Sequence, residues 1–417
     1  MSAEGAKRPN RDADSSTFNR EGETAEGAKR PNRDADASTF NREGETAEGA
    51  KRPNRDADSS TVRRDGLTTG PGLPFLPTMG VGSYASPAWL VAAREKIRDQ
   101  SFGPQDVDET LEDATRIAVA DQLEAGLDVL SDGEMRRQRF VYEMFDRLGG
   151  LQRVPPRRRV GVPGYDMAPH FATTGPVEAP GGLGIVSELE LLRRLAPGHA
   201  LKVALPGPLT FRQAIEPAAG YPAGAAGAAA LLDDLVGLVR AELLALAAAG
   251  ADYLQLDEPG FTMPAVALSL GEAAAVITRA LDGVPGRTAV HICFGNNAGR
   301  PNAERSLGRL VPAMQEIRCG QLVLEFANRQ MAELGLLREL SRSHEIAAGV
   351  VDVKSFYQET PEDVAARIRQ VLEVVPPERL TVTADCGFSA LPRWLARAKM
   401  RALVDGARLV RPEVSDT

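Results

Sequence analysis

The run Thr288-Ala-Val-His-Ile-Cys-Phe294 is apolar and β-branched except for a histidine and a cysteine set one residue apart. Residues i and i+2 of a strand point to the same face, so in an extended conformation His291 and Cys293 can grip one ion together. A similar run, Leu380-Thr-Val-Thr-Ala-Asp-Cys-Gly387, ends in a second cysteine, Cys386. Between them, Gln321-Leu-Val-Leu-Glu-Phe-Ala327 carries a lone carboxylate, Glu325, where a buried strand should be uncharged. His291, Cys293, Glu325 and Cys386 would make four ligands. Thiolate and imidazole donors suit Zn²⁺, and a catalytic zinc site keeps one position open or exchangeable. Taken singly, these residues are two buried cysteines and a core histidine. With only three cysteines and four histidines in 417 residues, their gathering at successive strand ends favours the metal site.

Outward from these runs, short apolar stretches alternate with longer helix-patterned ones. Strands are expected over 76–84, 128–134, 201–205, 253–257, 289–294, 322–327, 347–353 and 380–386. Helices are expected over 107–125, 229–249, 270–281, 303–317, 331–341, 361–374 and 392–409. The Thr360-Pro-Glu-Asp start combines a hydroxyl cap, a first-turn proline and early acids. Continuous apolar strands alternating with helices imply a parallel sheet, and eight of them in about 350 residues imply an α/β (β/α)₈ TIM barrel. A long interruption follows the second strand, and its segment 155–164, with Arg157, Arg158 and Arg159, is expected to form an excursion or hairpin over the barrel mouth. Polar residues recur at the strand ends: Ser83; Asp132 and Glu134; Asp257 and Glu258; His291 and Cys293; Glu325; Asp352 and Lys354; Asp385 and Cys386. Barrel active sites are built from several strand ends at once, at the carboxyl face.

Composition is that of an ordinary globular protein, with 43% hydrophobic and 25% charged residues. A net charge of −8 argues against nucleic-acid or anionic-membrane partners. Three cysteines make no disulfide framework, and no apolar segment at the start resembles a signal peptide, so a cytoplasmic protein is expected. The first 66 residues stand apart. The unit Ala3–Thr24 recurs from Ala25 and again, decaying, from Ala47, a period of 22 residues with one large apolar residue, Phe18, per unit. Stacked repeats bury a shared apolar face, and this unit has none, so 1–66 is expected to be a disordered tail and 67–417 the barrel.

The runs Val81-Gly-Ser-Tyr84, Ser131-Asp-Gly-Glu134, Leu205-Pro-Gly-Pro208, Gln255-Leu-Asp-Glu-Pro259, His291-Ile-Cys293, Gly349-Val-Val-Asp352 and Asp385-Cys-Gly387 resemble, in order, the catalytic barrel of cobalamin-independent methionine synthases. The likeness covers essentially everything after the repeats and is greatest to the short, single-barrel members. It implies that His291, Cys293, Glu325 and Cys386 hold zinc, that Asp257 and Glu134 hold the amino group of homocysteine, and that Ser83 lies in the segment receiving its carboxylate. It further implies methyl transfer to the homocysteine thiol, with the donor left open among a methylated folate, a methylcorrinoid protein and another methyl carrier. Two departures bear on the donor. The long enzymes carry Asp-x-His-Ser where this chain has Asp352-Val-Lys354-Ser355, so the proton donor to the departing folate nitrogen is replaced by Lys354 or lost. They also carry a pterin-stacking tryptophan after Gly-Pro-x-Thr, where this chain has Phe211-Arg-Gln-Ala214.

A second reaction class keeps the zinc-bound thiol and changes the electrophile, as in short barrels that join coenzyme M to an epoxide. A thiol without an ammonium has no use for Asp257 and Glu134. A non-catalytic barrel with a closed structural zinc is a third. Arg136, Arg137 and Arg139 are either holders of an anionic donor tail or solvated charges. Cys319 is expected to be structural, and His170, His199 and His344 get no role. Because the polar repeat cannot dock as a folded layer, a chain beginning at Gly70 is expected to keep its zinc content and unfolding temperature. Metal analysis and a thermal melt check this, and a large loss of either would mean that the tail packs on the barrel.

Overall fold

The computed structural model describes residues 72–137, 142–155, 169–262, 268–296, 300–301 and 303–415. The repeat tail of residues 1–66 lies outside them, as do Arg139 and nearly all of the arginine-rich excursion.

Helices α1 (Ala88–Arg98) and α2 (Pro104–Ala125) precede strand β1 (Val129–Leu130). Next come helix α3 (Tyr142–Phe145), strands β2 (Gly149–Val154) and β3 (His170–Glu178), and helix α4 (Ile185–Leu195). Strand β4 (Ala200–Pro206), helix α5 (Pro208–Arg212), strand β5 (Ile215–Ala219), helix α6 (Ala225–Ala248) and strand β6 (Tyr253–Asp257) follow. The chain continues through α7 (Leu270–Leu281), β7 (Arg287–Ile292), α8 (Val311–Glu316), β8 (Gln321–Glu325) and α9 (Leu337–Leu340). It ends with β9 (Glu345–Val351), α10 (Pro361–Leu372), β10 (Leu380–Ala384) and α11 (Arg393–Ser415).

Seven strands form one parallel sheet in the order β1-β4-β6-β7-β8-β9-β10. Its two edges meet on one short segment: Met79 bridges Val129 of β1, and Thr78 bridges Val382 of β10. The expected first strand, 76–84, is thus reduced to two bridging residues, and the sheet is a curled parallel one. Period two sorts its side chains. Met79, Val81, Val129, Ala200, Tyr253, Ala289, Val323 and Ala347 pack together as a small core of their own. The alternate face joins the large core under the helices. Two residues further along the same strands stand Lys202, Gln255, His291 and Glu325, the last two being candidate ligands.

The expected β6 and α7 agree with the structure to the residue, and the other ring strands agree within a few residues. The expected cap forms, with Asp363 N donating to Thr360 Oγ1 at 3.1 Å, and α7 has a cap that was not expected, Glu272 N donating to Ser269 Oγ. Two expected helices are corrected. Over 303–317 only α8 is helical, because Pro312 lacks an N–H and is tolerated only in a first turn, so the helix cannot run back past it. Over 331–341 there is a 3₁₀ turn at Leu334–Leu336 and then α9, because Gln330, Met331 and Glu333 take positive φ, which no helix allows. In the long interruption β2 and β3 pair antiparallel on either side of the segment expected as an excursion or hairpin; the third strand of this second sheet, β5, which pairs parallel with β3 from beyond β4, was not expected. No helix among the described residues is long and apolar enough to cross a membrane.

α11 packs on α10 through Gly406. A Cβ there would lie 2.6 Å from Val364 Cβ and Cγ1 and 2.9 Å from the Pro361 carbonyl. Alanine gains about 1 kcal/mol of helix propensity, but overpacking costs about 1–3 kcal/mol. Gly406→Ala is therefore expected to lower the urea midpoint without changing the m-value, and a higher midpoint would show that the helices separate freely.

Candidate active site

Adjacent strands bring the first site residues together. In the β6–β7 register Asp257 lies opposite His291, and Asp257 Oδ1 accepts a hydrogen bond from His291 Nδ1 at 2.9 Å. A carboxylate only accepts, so Nδ1 carries the proton and Nε2 is turned toward the sulfurs. The ligand atoms of His291, Cys293 and Cys386 all lie within 4.8 Å of one another. His291 Nε2 is buried and has no hydrogen-bond partner among the described residues. Burial opposes charge on this ring, but the Asp257 hydrogen bond and the nearby Cys386 outweigh it and push its pKa up to about 10. The two thiols share a hydrogen bond that holds Cys386 well below the usual thiol range and, with burial, Cys293 well above it.

Glu325 does not join that trio. Its Oε2 takes Lys354 Nζ at 2.5 Å and Phe294 N at 3.5 Å, and its Oε1 is buried without a hydrogen-bond partner among the described residues. Burial works against the Lys354 charge, yet Glu325 and Cys386 keep its pKa above the ordinary value. Asp385 supports the neighbouring turn. Its Oδ1 accepts from Phe326 N and Ala327 N at 2.8 Å each, and its Oδ2 accepts from Asn328 N at 2.6 Å. A carboxylate oxygen and a ring nitrogen left without partners beside two sulfurs are what a divalent cation would satisfy once the ring gives up its second proton, and soft donors suit zinc.

A second cluster of charge borders the first. Glu134 sits in a left-handed turn at φ 56°, with its N–H donating to Asp132 Oδ1 at 3.0 Å. Its carboxylate lies against Gly82, where any Cβ would come within 2.4 Å of Oε1. Burial pushes its pKa up to about 8, opposed by Arg137, whose Nη1 lies 3.7 Å from Oε2. Arg137 is not a solvated charge. It is buried, and it donates to Glu188 and to the Ala204 carbonyl at 2.8 Å each. Arg136 instead pairs with Asp108 at the surface. Ser83 is half-buried, its carbonyl accepting from Phe388 N at 2.7 Å and its Oγ lying where a Cβ on Gly387 would be.

Cys319 donates to the Gln321 carbonyl at 3.3 Å, and His344 is held by the Ile317 carbonyl; neither is near the trio. Lys202 and Gln255, which tie into Asp257 from below, carried a signal that passed unread: a charge and an amide inside strands that should be apolar.

A family profile described as the catalytic domain of cobalamin-independent synthase matches residues 76–409. A methionine synthase of Saccharolobus solfataricus is 31% identical over 345 residues, covering 82% of this chain and 97% of that protein. The chain belongs to the cobalamin-independent methionine synthase family. Another member, from Thermococcus kodakarensis, is 29% identical over 343 residues and covers 82% of this chain. Among solved structures, a B12-independent methionine synthase from Shewanella sp. W3-18-1, in complex with selenomethionine, superposes with a TM-score of 0.68 at 27% identity. It covers 82% of this chain and is itself covered completely. The alternative of a corrinoid donor gains no support from these members of the family.

Proposed function

We propose that this chain is a zinc-dependent methyltransferase that methylates the thiol of homocysteine, with residues 67–417 forming one (β/α)₈ barrel in which Thr78 and Met79 occupy the eighth strand position. The observation that carries it is the trio of His291, Cys293 and Cys386 with an orphaned imidazole nitrogen, joined through Asp257 to a second, acid-lined cluster. Family membership and the names of the relatives support it.

His291, Cys293 and Cys386 would hold the metal, with Glu325 as the exchangeable fourth ligand. Zinc, when bound, would make a coordinating thiol a thiolate near neutral pH. Lys354 gives the Glu325 carboxylate a partner, so that leaving the ligand set does not strand a buried charge. Asp257 and Glu134 would hold the substrate ammonium and thereby aim the sulfur, a positioning effect, with Ser83 beside the substrate carboxylate. In the net reaction the sulfur loses its proton and gains the methyl group, and the donor atom that gives up the methyl group takes a proton. With a methylated folate as donor, Lys354, which lies beside Glu325 and the two sulfurs, would be the group to supply that proton.

Two measurements test this. Cys386→Ser protein is expected to lose most of its zinc by metal analysis, since serine is a poor ligand for this metal. Full retention would remove the assignment. Asp257→Asn keeps side-chain size and removes the charge. Hydrogen bonds to charged groups contribute about 1.5–3 kcal/mol, so homocysteine should bind about ten- to a hundred-fold more weakly. Mercaptobutyrate, the same thiol acid without the amino group, should be little affected. Equal weakening of both would favour a thiol lacking an ammonium, as in addition to an epoxide.

A further inference from the structure

Beneath the trio a fully buried amide and a buried ammonium form one directional chain. Lys202, on β4, is 1% exposed, and its Nζ donates to the Gly80 carbonyl and, at 3.1 Å, to Gln255 Oε1. Gln255, on β6, is 0% exposed, and its Nε2 donates to the Val81 carbonyl at 2.9 Å and to Asp257 Oδ1 at 2.8 Å. An ammonium can only donate, and a carbonyl and a carboxylate only accept. All three neighbours therefore demand the same orientation of the amide, which settles the choice that an amide side chain otherwise leaves open. Asp257 Oδ1 receives Gln255 from one side and His291 Nδ1 from the other. With Oδ1 doubly engaged, the carboxylate cannot rotate without breaking both bonds, and no hydrogen bond engages Oδ2 among the described residues.

We propose that Gln255, anchored by Lys202, is the positioning residue that locks the rotation of the Asp257 carboxylate, and through it the ring of His291. One oxygen then serves the histidine and the other is kept for the ligand. The anchors are backbone carbonyls of the segment that joins the two sheet edges, so the lock is referred to the ring itself and not to a mobile loop. A histidine whose far nitrogen must meet a ligand needs its ring orientation set by the near one, and loss of such support typically weakens metal binding about 10–100-fold. The inference deepens the proposed function of the same site, since it assigns what aims Asp257 at an ammonium.

The test uses the full chain carrying Lys202→Met or Gln255→Glu, each first checked for fold by circular dichroism and thermal melting. Gln255→Glu keeps an acceptor for Lys202 and the side-chain shape, and removes the N–H groups given to the Val81 carbonyl and to Asp257 while adding a charge, so it stands if Lys202→Met fails to fold. The first readout is the downfield proton resonance of the His291 Nδ1–H, identified by its loss in His291→Gln and read with and without zinc. The second is the ratio of homocysteine to mercaptobutyrate affinity. In the folded variants the resonance is expected to shift or vanish, and the ratio to fall about ten-fold. A resonance and a ratio both unchanged in folded Gln255→Glu would overturn the proposal. The N–H arm requires neither zinc nor homocysteine. Wild-type protein that shows the resonance but prefers neither thiol would sink the substrate assignment alone, and a shifted resonance in the variants would still sustain the lock.

Discussion

The hydrogen bond between His291 and Asp257 is the joint on which the site turns, because it links two groups that could not lie side by side alone. Each is 4% exposed, and an unpaired buried charge would cost several kcal/mol. The joint exists because β6 and β7 are neighbours in register, with Asp257 opposite His291. Everything beneath the joint serves that register. The small and branched side chains of Ala200, Ala289, Val323 and Ala347 fill the ring interior one layer down, and the polar layer rests on them. A parallel sheet curled on itself has little room for water, so each polar group in that layer must find its partner within the protein.

Space for the acids is made by missing side chains. Glu134 occupies the place where Gly82 would carry a Cβ, and Asp385 Oδ1 lies 2.5 Å from the corresponding point on Gly349. In both cases a carboxylate on one strand end reaches across to a neighbouring strand that has given up its side chain. The two glycines therefore act through packing; neither has positive φ. Alanine at either place would displace an acid: Glu134 from its ion pair with Arg137, or Asp385 from hydrogen-bond reach of the amides of residues 326–328.

What could be read from the sequence follows from which contacts are local. Strands buried on both faces must be short and apolar, so β6 and its followers were legible, and the i, i+2 pair of His291 and Cys293 was legible with them. The span between Glu134 and Ala200 was not, because β2 and β3 pair with each other and with β5 and not with the ring. Helix α4 does leave a stripe in the sequence, Ile185, Leu189 and Leu192, inside the long interruption. Among the site residues, the engagement of Glu325 by Lys354 and of Gln255 by Lys202 depends on strand neighbours far apart in the chain. Arg136 and Arg137 look alike in sequence; only the turn at Glu134 sends one to the surface and the other inward to Glu188.

The distribution of charge bears on what the site is built to receive. On one side, Asp132, Glu134, Asp257 and Glu188 gather around two cations, Arg137 and Lys202. Asp132 Oδ2 has no hydrogen-bond partner among the described residues, and burial holds Lys202 down to about 7, opposed by Asp257 and Glu134. Four carboxyl groups to two cations leave that side with an excess of acid, which burial meets by raising Glu134 and Glu188. On the other side, Cys293, Cys386 and Glu325 face Lys354 and His291, with Glu325 Oε1 and His291 Nε2 left without hydrogen-bond partners among the described residues. A folded core does not keep such deficits for its own stability, since replacing buried ionic groups by apolar ones is often neutral or better. They make sense if each side is completed by a cation from outside: an ammonium among the acids, and a soft divalent metal among the sulfurs. Asp257 lies on the boundary and belongs to both. An amino-acid thiol would engage the two sides at once, and that shared boundary favours homocysteine over a thiol that carries no amine.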